Sequence, residues 1–108
     1  MQEYELKLTP LFIQDLEKIY SWIHAENPYN AINFVDKIEA TVKSLKYSPE
    51  KFATAYESES FQSTNLRQVI CLNHRIIYRV KPNSVDVLTI LSCRQDLIDK
   101  KALKTIIK

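Results

Sequence analysis

Two short words set what this chain can fold into: "LTP" at residues 8–10 and "ENPYN" at 26–30. Each places a small polar side chain, Thr9 or Asn27, immediately before a proline. A hydroxyl or amide oxygen at that place accepts a hydrogen bond from the first helical turn, and proline's fixed φ suits the first helical position. After Pro10, the residues Phe12, Leu16, Ile19, Tyr20 and Ile23 recur at helical spacing and predict an amphipathic helix over 10–25. After Pro28, Ala31, Val35, Ile38, Val42 and Leu45 do the same, and Ser48 with Pro49 ends the run. With so little chain between them, the two helices must form an antiparallel hairpin.

The flanking segments alternate instead. "YELKLT" (4–9) puts Tyr4, Leu6 and Leu8 on one side, the pattern of a half-buried strand. Three more strands follow residue 65: "LRQVIC", "HRIIYRV" and "SVDVLTI", joined by "LN" and "KPN" as tight turns. The chain contains no glycine, so these turns rely on asparagine and proline. Residues 50–65, polar and without clear period, read as an exposed, mobile connection. The tail "DLIDKKALKTIIK" carries a helical pattern over 97–108, short enough to need a packing partner. The expected architecture is a single α+β domain spanning 1–108, with the hairpin on one face of a mostly antiparallel four-stranded sheet and the other face open.

"HRIIYRV" then poses the functional question. Ile76, Tyr78 and Val80 share one side, with Tyr78 expected to be structural, while Arg75, Ile77 and Arg79 share the other. An open face bearing two arginines suits solvent, phosphate or an acidic partner. Charge is unevenly spread: residues 1–60 hold ten Asp/Glu against six Lys, net −4, and 61–108 hold nine Lys/Arg against three Asp/Glu, net +6. A surface built from the second segment therefore attracts anions. No apolar run approaches the roughly 18 residues of a membrane span, and the charged start "MQEYELKLTP" is unlike a signal peptide, so a cytoplasmic location is expected. Cys71 and Cys93 lack metal-ligand spacing and read as reduced structural thiols; no metal or cofactor is implied.

The order of elements and several words resemble the ParE/RelE superfamily of toxins from bacterial type II toxin–antitoxin pairs, closer to its ParE branch. The words are "LTP", "DLEKIYSWI", "NPYNAINFVDKIEATVKSLKYSP", "LRQV", "HRIIYRV" and "LTILSCRQD", which run from Tyr4 to Asp96. The resemblance implies one scaffold with two activities: ParE-like members inhibit DNA gyrase and are associated with plasmid stabilization, whereas RelE-like members cleave ribosome-bound messenger RNA. A nuclease needs cations for the phosphorane and groups that move protons. Arg75 matches a catalytic arginine of the RelE-like enzymes and Arg94 lies near a second, while His74 is the imidazole beside them. His74 alternates onto the Ile76 side, however, and the tail has neither tyrosine nor histidine. Many ParE-like chains have a histidine where Ser92 stands; of that word only Arg94 and Asp96 remain, expected as a structural ion pair at the strand end.

The resemblance also implies a cognate antitoxin with a DNA-binding N-terminus and an acidic, amphipathic C-terminal segment. Arg67, Arg75, Arg79 and Arg94 are its expected contacts, together with a hydrophobic groove beside the hairpin. Taken alone, Arg67 would pair with an acidic side chain across the sheet, and Lys100, Lys101, Lys104 and Lys108 would form a solvated face. Contact with DNA is expected only through the antitoxin. The reading favoured is a gyrase-binding toxin, with a messenger RNA nuclease and a decayed toxin that only binds antitoxin as alternatives.

Overall fold

The computed structural model describes residues 2–55 and 66–94. Strand β1 (Glu5–Leu8) leads into helices α1 (Pro10–Glu26) and α2 (Pro28–Ser44), then a single 3₁₀ turn at Pro49–Lys51. Strands β2 (Leu66–Cys71), β3 (His74–Val80) and β4 (Ser84–Ser92) complete one four-stranded sheet in the order β1-β4-β3-β2. β1 runs parallel to β4, and the other two pairings are antiparallel.

Both helix-start words act as the sequence indicates. Thr9 Oγ1 accepts the Phe12 N–H at 3.1 Å, and Asn27 Oδ1 accepts that of Asn30 at 3.1 Å. The Thr9 hydroxyl also donates to the Leu88 carbonyl at 2.8 Å, so one cap fixes where α1 leaves the sheet. The helices lay Phe12, Phe34, Ile38, Val42 and Leu45 over Val69, Ile76, Tyr78, Val85, Val87 and Ile90. Among the described residues no helix is long and apolar enough to cross a membrane.

The "LN" turn is built from two positive-φ residues, Leu72 at 52° and Asn73 at 63°, the backbone that a two-residue hairpin between right-twisted strands needs. Asparagine tolerates that region; leucine is placed there against its steric preference.

The opposite face is not open. Ala55, Leu66, Ile77, Leu88 and Leu91 form a second buried cluster, with Leu11 packed against it. A bulge produces this layer: Ile77 pairs with Thr89 and Tyr78 with Val87, leaving Leu88 as an extra residue. Strict alternation would put positions 85, 87, 89 and 91 together. With the bulge, Val85, Val87 and Ile90 face the hairpin while Leu88 and Leu91 join the second cluster.

The expectation of an exposed connection also fails for its first part. The Ala55 N–H donates to the Leu66 carbonyl at 2.9 Å and the Gln68 N–H to Ala53 at 3.0 Å, so residues 53–55 line the outer edge of β2, with Ala55 buried. Residues 56–65 and the tail helix expected over 97–108 lie outside the described residues.

Candidate functional site

The four arginines do not form one surface. In β3, Arg75 and Arg79 point away from the hairpin, as the alternation requires. Arg67 is in register with Tyr78 and therefore shares the hairpin face. Arg94 follows the end of β4 and is exposed.

Arg79 and its cross-strand neighbour Asp86 are in direct register, with Nη2 to Oδ2 at 3.3 Å. Lys81 Nζ reaches the same carboxylate oxygen at 2.9 Å. Burial pushes the Asp86 carboxyl up, but hydrogen bonds and charge from Lys81 and Arg79 outweigh it and hold the group below its ordinary value. Lys7 of β1 is in register with Asp86 from the other side. Sequence reasoning missed Lys81 and Asp86 as members of this group. The signal was the short "KPN" turn, which forces antiparallel pairing of the residues on either side of it.

Arg75 corrects a central expectation. It is only 2% exposed, not presented on an open face, because the second apolar cluster surrounds its strand. Its Nη1 donates to Gln68 Oε1 at 2.9 Å across the sheet. A buried guanidinium is stable only when its donors are matched by acceptors, so Gln68 is a supporting residue the sequence did not single out.

Arg67 is likewise differently placed. Its Nη1 donates to the Phe52 carbonyl at 2.7 Å and the Glu50 carbonyl at 3.2 Å, backbone acceptors in place of the expected acidic side chain. Beside it Tyr78 is fully buried and its hydroxyl donates to the Pro49 carbonyl at 2.5 Å. Burial raises the Tyr78 pKa to about 12, with the Arg67 charge acting in the opposite direction. Together Arg67 and Tyr78 hold the chain after α2 against β2 and β3.

His74 sits on the hairpin face, as its alternation implies, with its ring edge-on to Phe34 at 5.0 Å between centroids. Its Nδ1 lies 3.0 Å from the Leu72 carbonyl; a carbonyl only accepts, so that nitrogen carries the proton. His74 and Arg75 therefore occupy opposite faces of one strand. Ser92, in register with His74, accepts the Arg94 N–H at 3.1 Å and shapes the turn after β4. Asp96, the expected partner of Arg94, lies outside the described residues, as do Lys100, Lys101, Lys104 and Lys108. Cys71 is half-buried and Cys93 exposed, both as free thiols.

A groove of about 620 Å³ opens between β1 and the helical hairpin. Its floor is apolar, formed by Leu6, Leu8, Phe12, Ile13, Ile38 and Val42, and Glu17, Glu39 and Lys43 mark its rim. Leu8 and Ile13 remain 46% and 43% exposed, which is unusual for branched aliphatic side chains placed side by side on a folded domain.

Comparison with known proteins places this geometry. Among solved structures, a chain of the chromosomal ParDE toxin–antitoxin system from P. aeruginosa superposes with a TM-score of 0.69 at 25% identity, over 83% of this chain and 96% of that one. A chain of the RelBE2 toxin–antitoxin complex from Mycobacterium tuberculosis shares the fold, with a TM-score of 0.56 at 18% identity, over 85% and 93% of the two chains. No curated protein matches the sequence. The family described as the ParE toxin of the parDE type II toxin–antitoxin system matches residues 6–97, nearly the whole chain, and the protein belongs to that family.

Proposed function

We propose that this ParE-type toxin stops growth by binding DNA gyrase and blocking replication, and that a cognate antitoxin silences it by laying an acidic, amphipathic segment into the groove beside the hairpin. The observation that carries the choice of target is the placement of the groups a nuclease would use. Arg75, which would have to meet a phosphate, is 2% exposed and engaged by Gln68, while His74 projects from the opposite face with its Nδ1 proton directed at a backbone carbonyl. A phosphorane needs cations and a proton acceptor converging on one point. These two groups are separated by the sheet itself.

The antitoxin half of the reading rests on the groove. An amphipathic helix binds by setting apolar anchors into such a trough while its polar side meets the rim. The solved ParDE structure, similar along nearly its whole length, comes from a toxin–antitoxin system, which supports a cognate antitoxin as the partner.

The test is direct. Purified toxin added to gyrase and plasmid DNA is expected to inhibit supercoiling or trap cleaved DNA, and to leave ribosome-bound message intact. In cells, DNA synthesis should stop before protein synthesis after induction without antitoxin. Cleaved message with unimpaired gyrase would overturn the target, and full toxicity would exclude a decayed toxin.

A further inference from the structure

The apolar groove does not end at the hairpin. It shares Leu6 and Lys43 with an open cleft between the start of β1 and the end of α2, and that cleft shares Tyr4 with a third depression of about 380 Å³. This last pocket is lined by Tyr4, Glu50, Arg67, Val80, Lys81 and Pro82. Three depressions thus follow one another from an apolar trough to a charged end.

The charged end is built in advance. Arg67 spends its Nη1 donors on the Glu50 and Phe52 carbonyls, which fixes the plane of the guanidinium. Nε and Nη2, the edge that pairs side-on with a carboxylate, have no acceptor among the described residues. Lys81 is anchored by Asp86 at 2.9 Å yet stays 45% exposed. The β3–β4 turn beneath them is held by Gln2 Nε2, which donates to the Pro82 carbonyl at 2.6 Å, and by the Lys81 N–H, which donates to the Ser84 carbonyl at 2.8 Å. Of the side chains that line it, Arg67 and Lys81 against Glu50 leave a single positive charge. That balance suits one carboxylate better than a phosphate dianion.

We propose that this pocket is a carboxylate-binding site, and that the carboxylate it takes belongs to the same acidic segment whose apolar side fills the groove. The occupant rests on the antitoxin reading above; the site itself does not. A helix seated over Leu8 and Ile13 would continue past Tyr4 and place an aspartate or glutamate side chain against Arg67 and Lys81. Glu50 at the margin disfavours a second negative charge beside it, so the pocket selects one acid, not a run of them.

The experiment has two parts. NMR titration of the full-length toxin with acetate, and separately with inorganic phosphate, is expected to give saturable shifts at Tyr4, Arg67 and Lys81 for acetate. These should be lost in Lys81→Gln and strengthened in Glu50→Gln. Absent or non-saturating shifts, or shifts unchanged by Lys81→Gln, would overturn the site, and tighter binding of phosphate would overturn its selectivity. Affinity for the antitoxin encoded beside the toxin is then measured for Lys81→Gln, Arg67→Gln and Ile13→Asp. The Lys81 change should weaken binding about fivefold, the scale of one partly exposed ion pair. Lys81→Gln spares the contacts that Arg67 makes to the backbone, so it remains informative if Arg67→Gln fails to fold. Acetate binding with unchanged antitoxin affinity in both pocket variants would overturn the occupant. Unchanged affinity in Ile13→Asp would instead overturn the groove reading and leave the acetate result standing.

Discussion

The two faces of the sheet bury different kinds of side chain. Toward the hairpin, the layer from Phe12 to Ile90 is apolar apart from the Tyr78 hydroxyl. On the far side, Leu66, Ile77, Leu88 and Leu91 alternate with buried Arg75, Thr89, Asp86 and, from α1, Asp15. The first layer is held by packing, which tolerates a change of shape better than a change of polarity. The second combines packing with charge-assisted hydrogen bonds in a low dielectric, where losing one partner costs more than the bond itself contributes.

The largest effects should test whether both layers are true cores. Ile76→Ala and Ile77→Ala, adjacent in β3 but on opposite faces, are each expected to destabilise by about 2–4 kcal/mol in urea unfolding. An open far face would make the Ile77 change nearly neutral, within about 0.5 kcal/mol. Next comes the polar part of the far layer. Thr89 Oγ1 donates to Asp15 Oδ2 at 2.6 Å, and Thr89→Val, which removes a donor from a buried carboxylate, should cost about 1–3 kcal/mol.

Tyr78→Phe probes the buried hydroxyl contact of the near layer and should cost about 1 kcal/mol at neutral pH. Because the folded state keeps the Tyr78 proton up to about 12, while the unfolded chain loses it near 10.0, this residue's contribution is complete below pH 10 and disappears as the pH rises through 12. The phenylalanine variant should show a flatter alkaline limb. Asp86 behaves with the opposite sign. Its folded value lies below 3.8, so its contribution is present above that pH and lost as the pH falls through the lowered folded value. Asp86→Asn should cost up to about 1 kcal/mol at pH 7 and converge with the parent in acid. The smallest change is a gain: Leu72→Asn, at φ 52°, should stabilise the β2–β3 hairpin by about 0.5–1 kcal/mol, read as a rise in melting temperature.

The near layer was legible because its signals are local. Thr9-Pro10 and Asn27-Pro28 mark helix starts, apolar residues recur at three- and four-residue steps, and β2 and β3 match the words "LRQVIC" and "HRIIYRV" residue for residue. The far layer was not, because its causes are non-local. A bulge at Leu88 alters which side chains of β4 share a face, and Ala55 joins the sheet edge through a pairing that no periodicity announces. The candidate site shows the same divide. The alternation correctly separated His74 from Arg75, but the acceptors of Arg67 and Arg75 come from segments distant in sequence, and sign of charge alone could not name them.

The parallel pairing of residues 5–8 with 84–87 has a consequence for biosynthesis. Strand β1 emerges from the ribosome first, yet its hydrogen-bonding neighbour is the last strand of the sheet to be made. Until β4 arrives, β1 has no hydrogen-bonding neighbour in the sheet, and the groove beside it lacks the support that shapes it. Long-range closure of this kind is slow compared with helix formation. The fold is therefore completed only when synthesis of the sheet is finished.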